Sequence, residues 1–267
     1  MKAYFDKATV RRSFSKAAKT YDQNSGFQND VRLMLLAYLP KEDVLTALDA
    51  GCGTGGLAFE MNCLYPAAKV LAIDSAKDML EAARENLPQE IRLFAADLES
   101  MPFKSQSLCL VASNLTYQWS VSLEKAFTEC VRILRKDGRF VFSTLGPATF
   151  LELRESVNKA ALLTGKNGLP PFMEFTGSGK LAGLLNKMGF VDIRIETKNV
   201  VRYYKNAREL LKTLKRIGAK NPNAEGEKSL GRGALLKAAF NEYEKSHSGP
   251  AGIIATYEVL FVSCKKP

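Results

Sequence analysis

Short apolar runs alternate with helical stretches from residue 44 to residue 144, and this alternation is the strongest pattern in the chain. Each run is six to eight residues long and ends in glycine, aspartate, asparagine or threonine. Strands separated by helices are typical of βαβ units, so this segment predicts a mostly parallel sheet. The five predicted strands are 44–51, 69–74, 91–97, 107–114 and 138–144.

Two further strands are predicted in the second half of the chain. Residues 180–190 predict a helix ending at Gly189, and 191–204 and 253–266 alternate like strands. The segment between these two strands is mostly helical, which indicates an insertion between neighbouring strands. With seven strands in all, the predicted fold class is a Rossmann-like α/β domain with a mostly parallel sheet.

We expect a single domain over residues 1–267. In the core, Ser75 is predicted to cap the helix after strand two, with Asp78 three residues on. The predicted parts are an N-terminal helical cap (1–40), a cofactor-binding core (44–144), a substrate-side lid with strand six (145–204), a helical insertion (205–250) and a final strand (251–267).

Composition narrows the class of protein. There is no run of 18 apolar residues, and the basic N-terminus lacks the apolar stretch of a signal peptide, so we expect a native helix there and no membrane span. The five cysteines show no paired spacing, which predicts reduced, mostly buried thiols of a cytoplasmic protein. The net charge of +10 is uneven: residues 1–150 hold 18 basic and 17 acidic side chains, and residues 151–267 hold 20 and 11. This asymmetry indicates an anionic partner, which would be either a nucleic acid or an acidic protein. The alternative is a basic surface without such a partner.

A glycine-rich loop, DAGCGTGG, joins the first strand to the first helix and fits two templates. Read as GxGxxG (Gly51, Gly53, Gly56), it could hold a dinucleotide pyrophosphate. Read as DxGxGxG, it resembles the first motif of S-adenosylmethionine (SAM) methyltransferases and includes Cys52. The carboxylate of Asp49 would repel a pyrophosphate and attract the ammonium and sulfonium of SAM. Asp49 therefore favours SAM.

Two more aspartates end the second and third strands. Asp74 is placed to accept hydrogen bonds from ribose hydroxyls, which both cofactors offer. Asp97 is placed to accept from an adenine amino group, with the backbone N–H of Leu98 facing the ring. The single histidine, His247, lies in a late polar turn, so we expect neither a histidine triad nor a metal cluster. Methyl transfer to an acceptor that is already an anion needs mainly alignment and exclusion of water.

Beyond the loop the chain resembles one family nearly end to end, the malonyl-(acyl-carrier protein) O-methyltransferases of biotin synthesis. The segments that carry the resemblance are SFSKAAKTYD (13–22), SNLTYQW (113–119), FSTLGPATFLEL (142–153), LKTLKRIGA (211–219) and TYEVLFVSCKK (256–266). The resemblance implies the seven-stranded class I methyltransferase fold and SAM as cofactor. It implies transfer of the methyl group to the free carboxylate of a malonyl thioester on acyl-carrier protein, or on CoA. That carboxylate needs no general base.

The resemblance also suggests roles for residues near the predicted cleft. Tyr21 is predicted to contact SAM or to orient the substrate carboxylate, and the alternative is a core tyrosine. Asn114 and Gln118 follow strand four, at the sheet edge where open α/β sheets bind ligands, although Asn114 could instead cap the next turn. Trp119 is expected to pack in the pocket wall.

A guanidinium suits a carboxylate substrate best, and Arg202 and Arg208 are the candidates in the second half. Phe172 and Phe175 are candidates for the lid, and a plain surface loop is the alternative. Residues 198–220 hold eight basic side chains against Glu209, and we expect the acidic carrier protein to dock on this face, unless it is only a solvated helix face. The basic residues are Lys198, Arg202, Lys205, Arg208, Lys212, Lys215, Arg216 and Lys220.

Three other functions remain open from the sequence. One is methylation of another small carboxylic acid, and another is a SAM- or NAD-binding regulator without catalysis. The third is methylation of RNA, prompted by a pI near 9.3. Enzymes acting on base nitrogens often carry Asn/Asp-Pro-Pro-aromatic after strand four, whereas this chain has Asn114-Leu-Thr-Tyr117, which argues against nucleic acid.

Overall fold

A computed structural model describes residues 6–165, 172–219 and 232–267. The strands are β1 Thr46–Ala50, β2 Lys69–Asp74, β3 Arg92–Ala95, β4 Leu108–Asn114, β5 Leu134–Leu145, β6 Val191–Tyr204, the two-residue β7 Ser248–Gly249, and β8 Gly252–Lys265. The helices are α1 Lys7–Ala17, α2 Tyr21–Asn24, α3 Gly26–Leu35, α4 Gly56–Leu64, α5 Lys77–Asn86, α6 Leu123–Ile133, α7 Leu151–Thr164, α8 Ser178–Lys187, α9 Ala207–Arg216 and α10 Arg232–Ser246.

The strands form one sheet in the order β3-β2-β1-β4-β5-β8-β6, and β7 pairs with β8. Strands β1 to β5 are parallel, and β8 is antiparallel to both of its long neighbours. The predicted fold class is confirmed, with β7 as a short addition to the seven predicted strands. The chain reverses its strand order between β1 and β4, which is where open α/β sheets bind ligands.

Alternating residues of the buried strands face two apolar layers. On β1, Ala47 belongs to the core with α3 and α4, whereas Leu48 belongs to the core with α6 and α8. Because successive strand residues point to opposite faces, a fully apolar strand of this kind must be covered by helices on both sides. The helices on the two faces do not cover the carboxyl ends of the strands. These ends are covered by the N-terminal helices and the insertion.

The insertion between β6 and β8 is confirmed, and these strands pair along most of their length. Helix α7 was not predicted as a separate element, and it packs against α10 through Ala160, Leu235 and Ala239. The prediction that Ser75 caps α5 is wrong. Helix α5 begins after Ala76, whose N–H donates to Asp74 Oδ1 at 2.8 Å, so the preceding aspartate takes the donor. Among the described residues, no helix is long and apolar enough to cross a membrane.

Candidate active site

The glycine loop turns tightly between β1 and α4 at the strand-order reversal. Gly51, Gly53 and Gly55 all have positive φ, a conformation that costs glycine little. Thr116, just after β4, lies against Gly51, and its Oγ1 donates to the Gly51 carbonyl at 3.1 Å. A Cβ on Gly51 would collide with the Thr116 side chain. The loop is therefore held from below by β2 and from the side by the end of β4.

Asp49 lies buried beneath this loop. Its Oδ2 accepts the N–H of Ala58 in α4 at 2.9 Å, and its Oδ1 is buried with no hydrogen-bond partner in the described part of the chain. Burial raises the pKa of Asp49 to about 7, although the Ala58 hydrogen bond opposes the shift. An unpaired buried carboxylate oxygen is costly, so this atom indicates a cationic or hydrogen-bond-donating ligand.

Arg32 lines the same cleft, lies 3.9 Å from Glu60 Oε1 and was not predicted from the sequence. Helix α3 places its guanidinium over Gly56, where a Cβ would collide with it. Its Nη1 donates to Asn29 Oδ1 at 3.1 Å, and its Nε is buried without a partner among the described residues. Asp49 and Arg32 thus offer one unpaired acceptor and one unpaired donor to the same cleft. That pair fits an ammonium and a carboxylate, the two charges at the amino-acid end of SAM.

Asp74 ends β2 and contacts the glycine loop with one carboxylate oxygen and the start of α5 with the other. Its Oδ2 accepts the Gly53 N–H at 3.0 Å, and its Oδ1 accepts the Ala76 N–H. Burial raises the pKa of Asp74, and these backbone donors partly offset the shift. Each oxygen keeps a second lone pair, so the side chain can still accept from a ribose hydroxyl. Cys52 is buried beside it and lines the same cleft, which has a volume of about 120 Å³.

The N-terminal segment closes over the loop. Thr54 Oγ1 donates to Asp22 Oδ1 at 2.6 Å, and Asn86 Nδ2 reaches both Asp22 and the Thr54 carbonyl at 3.2 Å. The neighbouring Tyr21 lines the cleft. Burial, followed by the nearby carboxylates of Asp74 and Asp22, raises the pKa of its phenol above the ordinary value. Tyr21 is therefore protonated at neutral pH and available as a hydrogen-bond donor.

Asp97 and Leu98 are not among the residues that line the cleft. Asp97 follows β3, and its Oδ2 pairs with Lys7 Nζ of α1 at 2.7 Å; Lys7 also pairs with Glu99 at 2.8 Å. Leu98 packs against the core on the α6 side of the sheet. Their predicted contacts with adenine stay predictions.

A larger cavity of about 590 Å³ adjoins the cofactor cleft, and we call it the chamber. The residues lining both are Val10, Phe14, Tyr21, Gln28, Leu115 and Trp119. The chamber wall is mostly apolar, and its described charged residues are Arg154 and Lys215, with no carboxylate. Its contents would therefore be a largely apolar group that carries negative rather than positive charge.

Residues after β4 connect cleft and chamber. Asn114 lines the cleft, donating from Nδ2 to the Gln28 carbonyl at 3.0 Å and accepting from Ser143 Oγ at 2.8 Å. Gln118 lines the chamber, and its Oε1 accepts from Thr144 Oγ1 at 3.2 Å. Trp119 lines both and packs edge-on against Phe14, with 5.4 Å between ring centroids. Trp119 is thus a wall residue, as its sequence context predicted.

Leu115 and Phe150 follow β4 and β5, and both line the chamber with positive φ, near 53° and 60°. A non-glycine residue in this region is strained by about 1–3 kcal/mol, and such strain clusters at functional sites. Phe172 and Phe175 also line the chamber, whereas residues 169–171 of the same stretch lie outside the described chain.

Neither arginine proposed for the substrate carboxylate lines the chamber. Arg202 forms an ion pair with Asp30 at a surface pocket that shares lining residues with the chamber, Gln28 and Leu214 among them, and Arg208 is exposed on α9. Arg154, in the first turn of α7, is the arginine that does line it. Arg154 follows β5 in the chain, and whether it reaches the chamber depends on how α7 packs. The periodicity of the sequence does not predict that packing.

Comparison with known proteins identifies the family. The model of the Methyltransferase domain family matches residues 48–142. A malonyl-(acyl-carrier protein) O-methyltransferase of Geobacter sulfurreducens is 33% identical over 260 residues, covering 96% of this chain and 97% of that protein. The chain belongs to the malonyl-(acyl-carrier protein) O-methyltransferase family. The resemblance carried by the sequence motifs is thereby confirmed.

A second relative and one solved structure extend the comparison. A biotin biosynthesis bifunctional protein of Cellvibrio japonicus is 34% identical over 98% of this chain, which spans 51% of that longer protein. A Haemonchus contortus phosphoethanolamine N-methyltransferase 2, solved with SAM, has a TM-score of 0.59 at 18% identity, covering 95% of this chain and 57% of that one. At that identity, the likeness supports the fold alone.

Proposed function

We propose that this enzyme transfers the methyl group of SAM to the free carboxylate of a malonyl thioester on acyl-carrier protein, giving the methyl ester that primes pimeloyl synthesis for biotin. The observation that carries the proposal is the chamber: a mostly apolar cavity with positive and no negative described lining charges, adjoining a cleft whose Asp49 and Arg32 match the charges of SAM. The name of the Geobacter sulfurreducens relative supports the same substrate, and the name of the Cellvibrio japonicus relative supports a role in biotin synthesis. The cytoplasm is the compartment in which we expect it.

SAM, when bound, supplies a methyl group on a positively charged sulfur. We assign the amino-acid end to Asp49 and Arg32, and the loop contacts to Gly51, Cys52 and Gly53. Asp74 is assigned to the ribose, Asp97 and Leu98 to the adenine, and Asn114 to the rim between cofactor and substrate. Asp49 would be held ionised by the ammonium, because an opposite charge lowers the pKa of a carboxyl group.

The chain's own residues have little proton transfer to perform. A carboxylate has an ordinary pKa near 4, so the acceptor oxygen is already an anion at neutral pH. Forming its bond to the methyl carbon as the carbon–sulfur bond breaks cancels one negative and one positive charge. Tyr21, Asn114 and Gln118 are proposed to orient the acceptor, and Phe14, Leu115 and Trp119 to exclude water.

We propose that the carrier protein docks on the basic face around Lys198, Arg202, Lys205, Arg208, Lys212, Lys215 and Arg216. Part of this face is internally paired: Lys198 contacts Glu196, Arg202 contacts Asp30, and Glu209 contacts Lys212 and Arg216. Lys215 has no ion-pair partner in the described chain and lines the chamber as well. Lys220 lies outside the described residues. Lys215 therefore marks the point where the docking face and the chamber meet.

The function is tested by measuring methyl transfer from SAM to malonyl-acyl-carrier protein, malonyl-CoA and free malonate, with the ester detected by mass. We expect turnover of the protein-bound thioester to exceed that of free malonate by at least a hundredfold. Equal turnover of free malonate would overturn the carrier-protein assignment. RNA methylation whose substrate binding weakens steeply with salt, without response to carrier protein, would favour a nucleic-acid enzyme instead. Rescue of a biotin-requiring strain that lacks this step tests the pathway assignment.

A further inference from the structure

Arg154 carries an unpaired polar atom into a mostly apolar chamber. Its Nε is buried with no hydrogen-bond partner among the described residues, and one terminal nitrogen donates to the Met173 carbonyl at 3.0 Å. Its guanidinium lies 5.2 Å from the centre of the Phe172 ring. These contacts fix the plane of the guanidinium and leave part of its donor set unused.

Four of the five buried, unpaired side-chain atoms in the described chain belong to residues lining the cleft or the chamber: Gln28, Arg32, Asp49 and Arg154. An unsatisfied buried donor is costly, so this clustering indicates ligand-binding positions rather than chance packing. Asp49 and Arg32 account for the two charges of the cofactor's amino acid. Arg154 lines the chamber and not the cofactor cleft, so it is available to a second, anionic ligand.

We propose that Arg154 binds the free carboxylate of the substrate thioester and thereby selects diacid over monoacid thioesters. This inference rests on the proposed function and names the substrate-specificity residue of the same site. The geometry supports it in three ways: the guanidinium is held by Phe172 and Met173, no described carboxylate lines the chamber, and α7 starts six residues after β5. The nearby carboxylate of Glu174 acts on Arg154 but does not line the chamber. A charge-assisted hydrogen bond from a preoriented arginine favours a carboxylate over a neutral methyl group.

The test compares wild type with Arg154→Met, Arg154→Lys and, as a control, Arg194→Met on the exposed part of β6. Turnover is measured with malonyl-acyl-carrier protein, and acetyl-acyl-carrier protein, which lacks the carboxylate, serves as a competitive inhibitor. We expect Arg154→Met to raise KM for the malonyl substrate ten- to hundredfold while the acetyl inhibition constant changes less than twofold. Arg154→Lys should recover part of the loss, and added ethylguanidinium should partly rescue a further variant, Arg154→Ala, whose short side chain leaves room for it.

Two results would overturn the assignment. Equal weakening of malonyl and acetyl binding, without guanidinium rescue, would make Arg154 a purely structural support for residues 172–175. An unchanged malonyl KM in Arg154→Met would place the carboxylate elsewhere. Wild-type turnover separates this failure from failure of the proposed function. If wild type methylates no malonyl thioester, the function is wrong, and direct titration with succinate and butyrate then tests whether Arg154 still selects a second carboxylate.

Discussion

At the scale of single residues, two charged side chains of the cofactor cleft each leave one buried polar atom without a partner in the described chain, although Arg32 also lies 3.9 Å from Glu60. Asp49 and Arg32 are both buried at atoms that have no partner in the described chain, yet they lie in one cleft with the glycine loop between them. Such groups lower the free energy of unfolding when the ligand is absent. The cost should therefore be measurable in the apoenzyme and should disappear with the ligand or with the charge.

Asp49→Asn should weaken SAM binding at least tenfold and flatten the pH dependence of apoenzyme stability. The pKa of Asp49 is raised from 3.8 to about 7 in the folded chain. The folded state therefore holds this proton more tightly than the unfolded state, and stability falls as pH rises from about 4 to about 7. Between pH 5 and pH 8, titration of this group should lower the free energy of unfolding of the wild type by roughly 2–3 kcal/mol. It should not change that of the variant.

Urea unfolding of both proteins at pH 5 and pH 8, without ligand, measures the difference. Asp78→Asn on the exposed face of α5 is the control, and it should retain both SAM affinity and the wild-type pH dependence. If Asp49→Asn loses as much stability between the two pH values as wild type does, the carboxylate is not the group that titrates.

Arg32→Met should weaken binding of S-adenosylhomocysteine ten- to hundredfold and leave 5′-methylthioadenosine binding nearly unchanged. The first ligand has the amino-acid carboxylate and the second lacks the whole amino-acid end, so only the first can use the free guanidinium donor. Calorimetry with both ligands checks this. A parallel loss for both ligands would mean that Arg32 supports α4 at Gly56 rather than binding the cofactor.

At the scale of elements, the strands and the glycine loop could be predicted and several packing contacts could not. The strands β1 to β5 could be predicted because their signal is local: each is a short apolar run that ends in a glycine or polar residue. Helix α7 escaped prediction since its partners Leu235 and Ala239 lie far along the chain. The Ser75 cap was wrong because Asp74 competes for the same helix start. Arg32 and Arg154 acquire their roles only when α3 packs on α4 and α7 packs against α10 and β8, so their local sequence gives little signal.

Two helix-ending glycines allow the closure of the N-terminal cap to be tested. Gly189 and Gly218 both have positive φ, 87° and 79°, so alanine is strained at either site. A Cβ on Gly189 meets open space, whereas one on Gly218 would lie 2.9 Å from the Ser13 carbonyl of α1. Gly189→Ala should cost about 1 kcal/mol. Gly218→Ala should cost more and should also loosen α1.

Chemical unfolding and limited proteolysis of the two variants separate the effects. We expect faster cleavage within residues 7–24 for Gly218→Ala only, together with a raised KM for SAM, because Val10, Phe14 and Tyr21 line the cofactor cleft. Equal stability and equal proteolysis in the two variants would show that α1 does not depend on its contact with the end of α9.

At the scale of the whole molecule, charge and cavity form a continuous path. A groove of about 410 Å³ between α1 and α9 is lined by Lys16, Lys212, Lys215 and Arg216, with no carboxylate among the described lining residues. Ser13 and Lys215 line both this groove and the chamber. An anion at the groove would thus stand at the mouth of an apolar cavity that leads to the cofactor. The phosphodiester, the long neutral arm and the terminal carboxylate of a carrier-bound substrate have the same order.

Removing the groove charges should therefore weaken the binding of substrates that carry the phosphate of the arm. The binding of substrates that lack this phosphate should change little. Lys16 and Lys215 have no ion-pair partners in the described chain, so the double variant Lys16→Ala/Lys215→Ala exposes no orphaned carboxylate. At low salt we expect the KM of this variant for malonyl-phosphopantetheine to rise about tenfold, toward the wild-type value for malonyl-pantetheine. The KM of the variant for malonyl-pantetheine should change less than twofold.

Salt screens exposed charges, so the preference of the wild type for the phosphorylated arm should shrink as ionic strength rises. The preference of the variant should stay small at every ionic strength. Lys69→Ala, at the exposed amino end of β2, is the matched control and should keep the wild-type preference. A wild-type enzyme that does not distinguish the two thioesters, or a variant that weakens both equally, would show that the arm enters elsewhere.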